Sequence, residues 1–195
     1  PLLDLIVKTG IDKAIATQLD RLKGNKNAVA ETIENNVRSK IIKEQLNDPT
    51  YYEKMSALLE EIIAARKAKA IEYEEYLKRI ADLVKQVEAG HEDDIVDVLK
   101  KSPALRALYN NLKDCGKKLE DQIKENDEYG EYILPSDPTL DLALRLDETI
   151  KRVRSDDWRG VEPRERTIKH ALYEVLHDEA EVNRIFFIIK AQKEY

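Results

Sequence analysis

Cysteine, glycine and histidine are scarce in this sequence. The single cysteine, Cys115, cannot form an internal disulfide or supply a cysteine metal cage, which favours a reducing, cytoplasmic setting. Six scattered glycines form neither of the glycine-rich signatures that cradle nucleotide phosphates, so we expect no ATP site in this chain. None of the three histidines stands beside a serine or cysteine, so a catalytic triad has no candidate nucleophile.

Long apolar runs are also absent. No stretch reaches the roughly eighteen uninterrupted apolar residues of a membrane-spanning helix. The apolar run at the start of the sequence is broken by Asp4 and Lys8, and it lacks both a basic start and a small-residue cleavage site. It is predicted to be a helix cut out of a longer chain, and not a secretory signal.

Charged residues, by contrast, make up 37% of the sequence, and most of them are Glu and Lys, which favour helices. No segment alternates apolar and polar residues, so no sheet is expected. We predict an all-α fold, an irregular bundle of roughly six to eight helices. The net charge of −6 does not attract nucleic acid or an anionic membrane in bulk, so any contact with DNA must be local.

Apolar residues spaced three and four apart, together with capping signals, locate the individual helices. Two helices are predicted within residues 11–22 and 29–41, and a weak helix beyond Lys113 is followed by a loop that extends to Pro138. The predicted helix boundaries are Gly24, Asn27, Asp48-Pro49, Gly90, Ser102-Pro103, Asp137-Pro138, Pro163 and Asp178.

The longest predicted element is one helix over residues 51–89. Its apolar stripe alternates steps of three and four, as in a coiled-coil seam, and weakens at Arg66 within the string R-K-A-K-A, which indicates a solvated turn, a kink or a partner contact. Such a helix would be about 55–60 Å long, so it should pack along an antiparallel neighbour or project towards a partner. We therefore predict a helical region over residues 1–90 and a smaller helical subdomain over 91–195, or one continuous domain.

The pattern Glu-x-x-His occurs twice, at Glu88–His91 and at Glu174–His177. Helical bundles that hold two metal ions use two such pairs together with glutamates from other helices. The first pair straddles Gly90 at a helix end, where the inward geometry is lost, and chance matches are expected among 39 acidic residues. Capping or solvated residues are the simpler interpretation, and we predict no metal site.

The most unusual string is S-D-D-W-R-G-V-E-P-R-E-R-T-I-K-H, residues 155–170. It contains the only tryptophan, and basic residues outnumber acidic ones over residues 151–169 although the chain is acidic overall. This is the best local candidate for binding a protein or phosphate partner, through Asp156, Asp157, Trp158, Arg159, Arg164 and Arg166. In the structural alternative, Trp158 plugs the joint between two helices while the arginines pair with nearby acids.

With this string and others, the sequence resembles the C-terminal helical region of the R subunit of type I restriction-modification enzymes. The other strings are V-K-T-G-I-D-K-A-I, A-V-A-E-T-I-E-N-N-V-R, Y-Y-E-K-M-S-A-L-L-E-E-I-I, Y-E-E-Y-L-K-R-I-A-D-L, P-A-L-R-A-L-Y-N-N-L and the closing I-I-K-A-Q-K-E-Y. They occur in the family's order and cover most of the chain.

The resemblance implies a non-catalytic part of a large cytoplasmic enzyme that translocates and cleaves DNA, using ATP and Mg in its other parts. In that family the C-terminal helical region helps to attach the R subunit to the methyltransferase and specificity subunits. No catalytic, cofactor or metal residue can be carried over to this chain, and neither a membrane nor a small-molecule substrate is expected.

Two other functions stay open at this stage. One is a clamp on the DNA backbone, formed by Arg152, Arg154, Arg159, Arg164 and Arg166. The other is a coiled-coil adaptor that dimerises through the seam of the long helix.

Overall fold

The computed structural model describes residues 2–22, 24–92, 94–126 and 136–195, without the side chains of residues 119, 120 and 122–126. In this part of the chain the secondary structure is helical. Within those ranges the chain forms eleven α-helices, one short 3-10 helix and no strand. The predicted all-α fold is confirmed, although the helices are more numerous and shorter than predicted. None of these described helices combines the length and the apolar character needed to cross a membrane.

The chain divides into two compact units, Pro1–Ile95 and Val96–Tyr195. The first unit contains α1 (Leu2–Thr9), α2 (Ile11–Gln18), the 3-10 helix (Asp20–Leu22), α3 (Lys26–Glu44), α4 (Pro49–Lys67) and α5 (Tyr73–Ala89). The second contains α6 (Asp97–Lys101), α7 (Pro103–Asn111), α8 (Lys113–Asn126), α9 (Pro138–Val153), α10 (Glu162–Leu176) and α11 (Glu179–Ala191). The predicted division lay five residues earlier, after residue 90.

Five of the eleven described α-helices begin where a polar side chain caps a free backbone N–H group. The predicted starts at Ser102-Pro103, Asp137-Pro138 and Asp178 are confirmed, because each of these Ser or Asp side chains accepts a hydrogen bond from the backbone N–H three residues later. Asp48-Pro49, predicted only as the end of the preceding helix, begins α4 in the same way. The cap of α3 is Asn25 and not the predicted Asn27. The loop predicted before Pro138 falls largely on residues 127–135, which lie outside the described residues.

The prediction of one long helix over residues 51–89 is wrong, because α4 ends at Lys67 and α5 begins at Tyr73. The last turn of α4 closes with hydrogen bonds from Ala70 N to Ala65 O and from Lys69 N to Arg66 O. This is the Schellman pattern, and Lys69 occupies its left-handed position with φ +54°. The chain then reverses, and α5 packs against α4.

The apolar stripe read as a coiled-coil seam therefore lies inside the first unit. Met55 and Leu59 from α4 and Ile80 and Val84 from α5 are all buried in one cluster with residues of α1 and α3. The predicted helix end at Gly90 is confirmed, since Gly90 closes α5 with φ +69°. Because the apolar residues of the seam are buried, they are not exposed for the dimerisation on which the coiled-coil adaptor hypothesis depended.

The second unit has its own core, contributed by α6, α7, α9, α10, α11 and the turn before α10. The large apolar side chains buried there are Leu99, Leu105, Leu108, Leu112, Leu142, Leu146, Ile150, Trp158, Ile168, Leu172, Val182, Ile185, Phe186, Ile188 and Ile189. Helices α8 and α9 approach closely at Gly116, where an added Cβ would lie only 2.2 Å from Thr139 Oγ1.

Candidate docking site

The turn between α9 and α10, residues 154–161, contains four of the six predicted docking residues. Two residues of this docking turn have left-handed backbone conformations, Asp157 with φ +53° and Gly160 with φ +78°. Asp is among the few residues other than glycine that adopt this conformation readily, and Gly160 adopts it without a steric penalty. The sequence D-D-W-R-G is thus suited to reversing the chain between two helices.

Trp158 lies inside the second unit, with only 1% of its surface exposed. Its ring packs against Phe186 of α11, with ring centroids 5.8 Å apart at an interplanar angle of 61°. The Arg159 guanidinium lies 4.5 Å from the centroid of the tryptophan ring. This is the geometry of the structural alternative, in which Trp158 plugs the joint, so a partner can contact the turn without touching the indole.

Two of the predicted docking arginines hold the backbone of this region in place. Arg159 Nε donates to Lys190 O at 2.9 Å, and its Nη2 donates to Gln192 O. Arg164 Nη1 donates to Asp156 O at 2.6 Å and to Asp157 O at 3.2 Å. The partners of these two arginines are therefore carbonyl oxygens, and not the nearby acids that the sequence suggested.

Glu165 joins the docking turn to α11. Its Oε1 accepts from Gly160 N at 2.7 Å and from Lys190 Nζ at 2.7 Å. The hydrogen bond from Lys190, followed by that from the Gly160 N–H, lowers the pKa of Glu165 below its usual value. The charged carboxylate is thereby favoured, so this link between the turn and α11 is present at neutral pH and weakens as the pH falls through that pKa.

The outward side of the docking turn carries charge. Asp156 and Asp157 are exposed, as is Arg166 on the first turns of α10, which pairs with Glu162 at 2.5 Å. An exposed pair of this kind contributes little to stability and leaves both groups accessible. Of the arginines in the alternative DNA clamp, Arg152 is exposed, whereas Arg154 is half-buried.

Glu194 and Tyr195 bind the start of α7 and the middle of α9, a role that the sequence did not indicate. Glu194 caps α7 by accepting from Ser102 Oγ at 2.6 Å and from Ala104 N at 2.9 Å. The buried Tyr195 hydroxyl donates to Asp147 Oδ1 of α9 at 2.7 Å. Burial, with the hydrogen bond and charge of Asp147, raises the pKa of Tyr195, so this phenol stays a hydrogen-bond donor throughout the ordinary pH range.

Tyr195→Phe is expected to lower the free energy of unfolding of the second unit by about 1–3 kcal/mol, because it removes a hydrogen bond to a buried carboxylate. Lys151 also donates to Asp147, at 2.8 Å, which favours the lower end of that range. Urea unfolding followed by the fluorescence of Trp158 measures the change. Tyr173→Phe, at an exposed tyrosine of α10, is the control and should leave the curve in place; coincident curves for the two variants would contradict the role of Tyr195.

One cavity of about 280 Å³ lies elsewhere in the second unit, lined by Cys115, Lys118, Leu142, Val175, Leu176, His177, Asp178 and Glu181. The Cys115 thiol donates to Glu181 Oε2 at 3.2 Å, and burial, followed by this hydrogen bond, raises the pKa of Cys115 to about 11. The thiol therefore stays protonated and is a poor nucleophile at neutral pH. Among the described residues, no group of three or more His, Cys, Asp or Glu side chains is placed to hold a metal ion.

No protein-family model, curated protein or solved structure matches this chain.

Proposed function

We propose that this chain is a non-catalytic docking region of the R subunit of a cytoplasmic type I restriction enzyme. In this role it binds the methyltransferase and specificity subunits, while ATP-driven translocation and Mg-dependent cleavage of DNA belong to other parts of the subunit. The proposal is supported by the resembling strings, which follow one another in the family's order over most of the chain.

The observation that carries the proposal is the construction of the docking turn. Trp158 is buried, and the exposed Arg159 and Arg164 donate hydrogen bonds to backbone carbonyls. The exposed Asp156 and Asp157 side chains extend from the backbone that these contacts hold in place. A fixed backbone that presents charged groups loses little conformational entropy when a partner binds. Such a turn is suited to recognition and not to chemistry.

Replacing both exposed carboxylates by amides, with Asp156→Asn and Asp157→Asn, is expected to weaken binding to the methyltransferase–specificity complex about tenfold or more. Asn adopts the left-handed conformation as readily as Asp, so the turn should keep its shape. The measurement is calorimetry with the cognate methyltransferase–specificity complex, at physiological salt and without DNA.

The control pair is Glu148→Gln with Glu179→Gln, which makes the same change in net charge at exposed positions of α9 and α11. The control should bind like the wild type. Equal weakening by both pairs would reduce the effect to net charge and remove the docking turn from the interface. Failure of the wild-type chain to bind would overturn the proposal as a whole.

A further inference from the structure

Two adjacent phenylalanines of α11 have opposite environments. Phe186 is 6% exposed and packs against Trp158, whereas 59% of Phe187 is exposed, which places it among the most exposed large apolar side chains of the described residues. Packing in the core explains a phenylalanine at position 186, but it does not explain the phenylalanine at position 187. Single exposed apolar side chains are common on protein surfaces, and Phe187 differs from them in its charged surroundings.

Cationic side chains surround Phe187 on both helices. Arg184 and Lys190 lie three residues before and after it on α11, which makes them its neighbours on the helix surface. From α10, Lys169 reaches across: its Nζ donates to Asn183 Oδ1 at 2.9 Å and lies 4.8 Å from the centroid of the Phe186 ring. Both of these contacts of Lys169 are with uncharged groups, and its charge also acts on Glu165 of the same helix, where it helps to lower the pKa of that carboxyl.

The surface around Phe187 continues into the docking turn. Lys190 O accepts from Arg159 Nε, and Lys190 Nζ binds Glu165, which also holds Gly160 N. Lys190 is less than one helical turn from Phe187. The exposed phenyl ring and the exposed carboxylates of the turn therefore belong to neighbouring parts of one unit.

We infer that Phe187 is the apolar anchor of the docking surface and inserts into an apolar pocket of a protein partner whose rim carries a carboxylate opposite Lys169. This inference depends on the proposed docking function, and it identifies the residue that would contribute most to the binding energy. Aromatic side chains at the centre of an interface, ringed by polar groups, typically contribute most of the binding energy.

The surroundings of Phe187 favour this occupant over two others. In a second copy of the chain the same cations would face one another, and like charges placed opposite each other weaken an interface. A nucleic-acid strand carries a continuous row of phosphates, which would meet Glu165 and Glu181 as well as the cations. A single carboxylate on a protein partner can instead bind Lys169 without approaching Glu165 or Glu181.

Phe187→Ala is expected to weaken binding to the methyltransferase–specificity complex about thirtyfold or more, the loss typical of an interface hot spot. Lys169→Glu should weaken it about tenfold, with a loss that shrinks as salt is raised. The matched control is Tyr173→Ala, which removes another exposed aromatic side chain, from α10, and should keep the wild-type affinity. Unfolding curves should be unchanged for Phe187→Ala, since its side chain is mostly outside the core.

The possible results separate the two proposals. Wild-type affinity in Phe187→Ala would overturn the anchor and leave the docking function standing, whereas a wild-type chain that does not bind would overturn both. Light scattering that detects a dimer lost in Phe187→Ala would assign the surface to a second copy and overturn the inferred partner. Binding of a labelled oligothymidylate that depends on Phe187 would overturn it in favour of nucleic acid.

Discussion

Trp158→Ala is expected to lower the free energy of unfolding of the Val96–Tyr195 unit by about 3–5 kcal/mol, the cost of emptying a large buried aromatic site. The indole is the largest fully buried side chain of the described residues. Its removal leaves a cavity against Phe186 and takes away the ring on which the Arg159 guanidinium rests. Few single changes should have a larger effect on this unit.

Urea unfolding followed by far-UV circular dichroism measures this loss, because the variant no longer contains tryptophan fluorescence. Trp158→Phe is the matched control. It keeps an aromatic ring between Phe186 and Arg159, and it removes an indole N–H that has no hydrogen-bond partner among the described residues. Its cost should therefore come from packing alone and be clearly smaller. Equal and small effects of the two variants would show that the indole is not a core side chain.

This burial changes how the docking proposal can be tested. An alanine at position 158 would disturb the whole unit, so lost binding in that variant would say nothing about contact with a partner. Asp156 and Asp157 are exposed and their side chains can be changed without emptying the core. The string of residues 155–170 thus contains residues that hold the turn in place and residues whose side chains are exposed on its surface. Only the structure distinguishes the two groups.

The helix starts could be predicted because their causes are local. At Ser102-Pro103 and Asp137-Pro138 the capping side chain and the N–H group that it binds are three residues apart. Both partners are visible in one short stretch of sequence, and the proline fixes a backbone angle that the first helical turn requires. Such signals depend little on the rest of the fold.

The features that the sequence did not reveal depend on partners far along the chain. Glu194 caps a helix that begins 91 positions earlier, at Pro103, and Tyr195 binds Asp147 on another helix. Within D-D-W-R-G, Trp158 packs against Phe186 and Arg159 donates to the carbonyl of Lys190, and both of these partners come some thirty residues later in the sequence. Neither the spacing of apolar residues nor the composition of the sequence indicates contacts between residues so far apart in the chain.

The end of α4 is a further case, since Arg66 is bound to a residue on another helix. Arg66 Nε and Nη2 donate to the two carboxylate oxygens of Glu34 on α3 at 2.8 and 3.1 Å, and the side chains are only 11% and 5% exposed. Burial by itself lowers the pKa of Arg66, but the hydrogen bonds and charge of Glu34 outweigh it and leave that pKa above its ordinary value. Within the sequence, the same arginine only interrupted an apolar stripe.

Glu34→Ala is expected to lower the free energy of unfolding of the Pro1–Ile95 unit by about 3–5 kcal/mol, because it leaves the Arg66 guanidinium buried without its counter-charge. Hydrogen exchange at the amides of α3, α4 and α5 resolves this loss within the first unit. The double variant Glu34→Leu with Arg66→Met should recover most of the stability, since well-packed apolar side chains often replace a buried ion pair without cost.

The chain supplies a matched control for this pair in Arg38–Glu60, which joins the same two helices, α3 and α4, at 2.6 Å. Its side chains are 41% and 58% exposed, so water already solvates both charges, and Glu60→Ala should cost no more than about 1 kcal/mol. Similar losses for Glu34→Ala and Glu60→Ala would contradict the role given to burial. A much larger loss at Glu34 would make the Arg66 pair the contact that holds α4 to α3 where the chain turns back into α5.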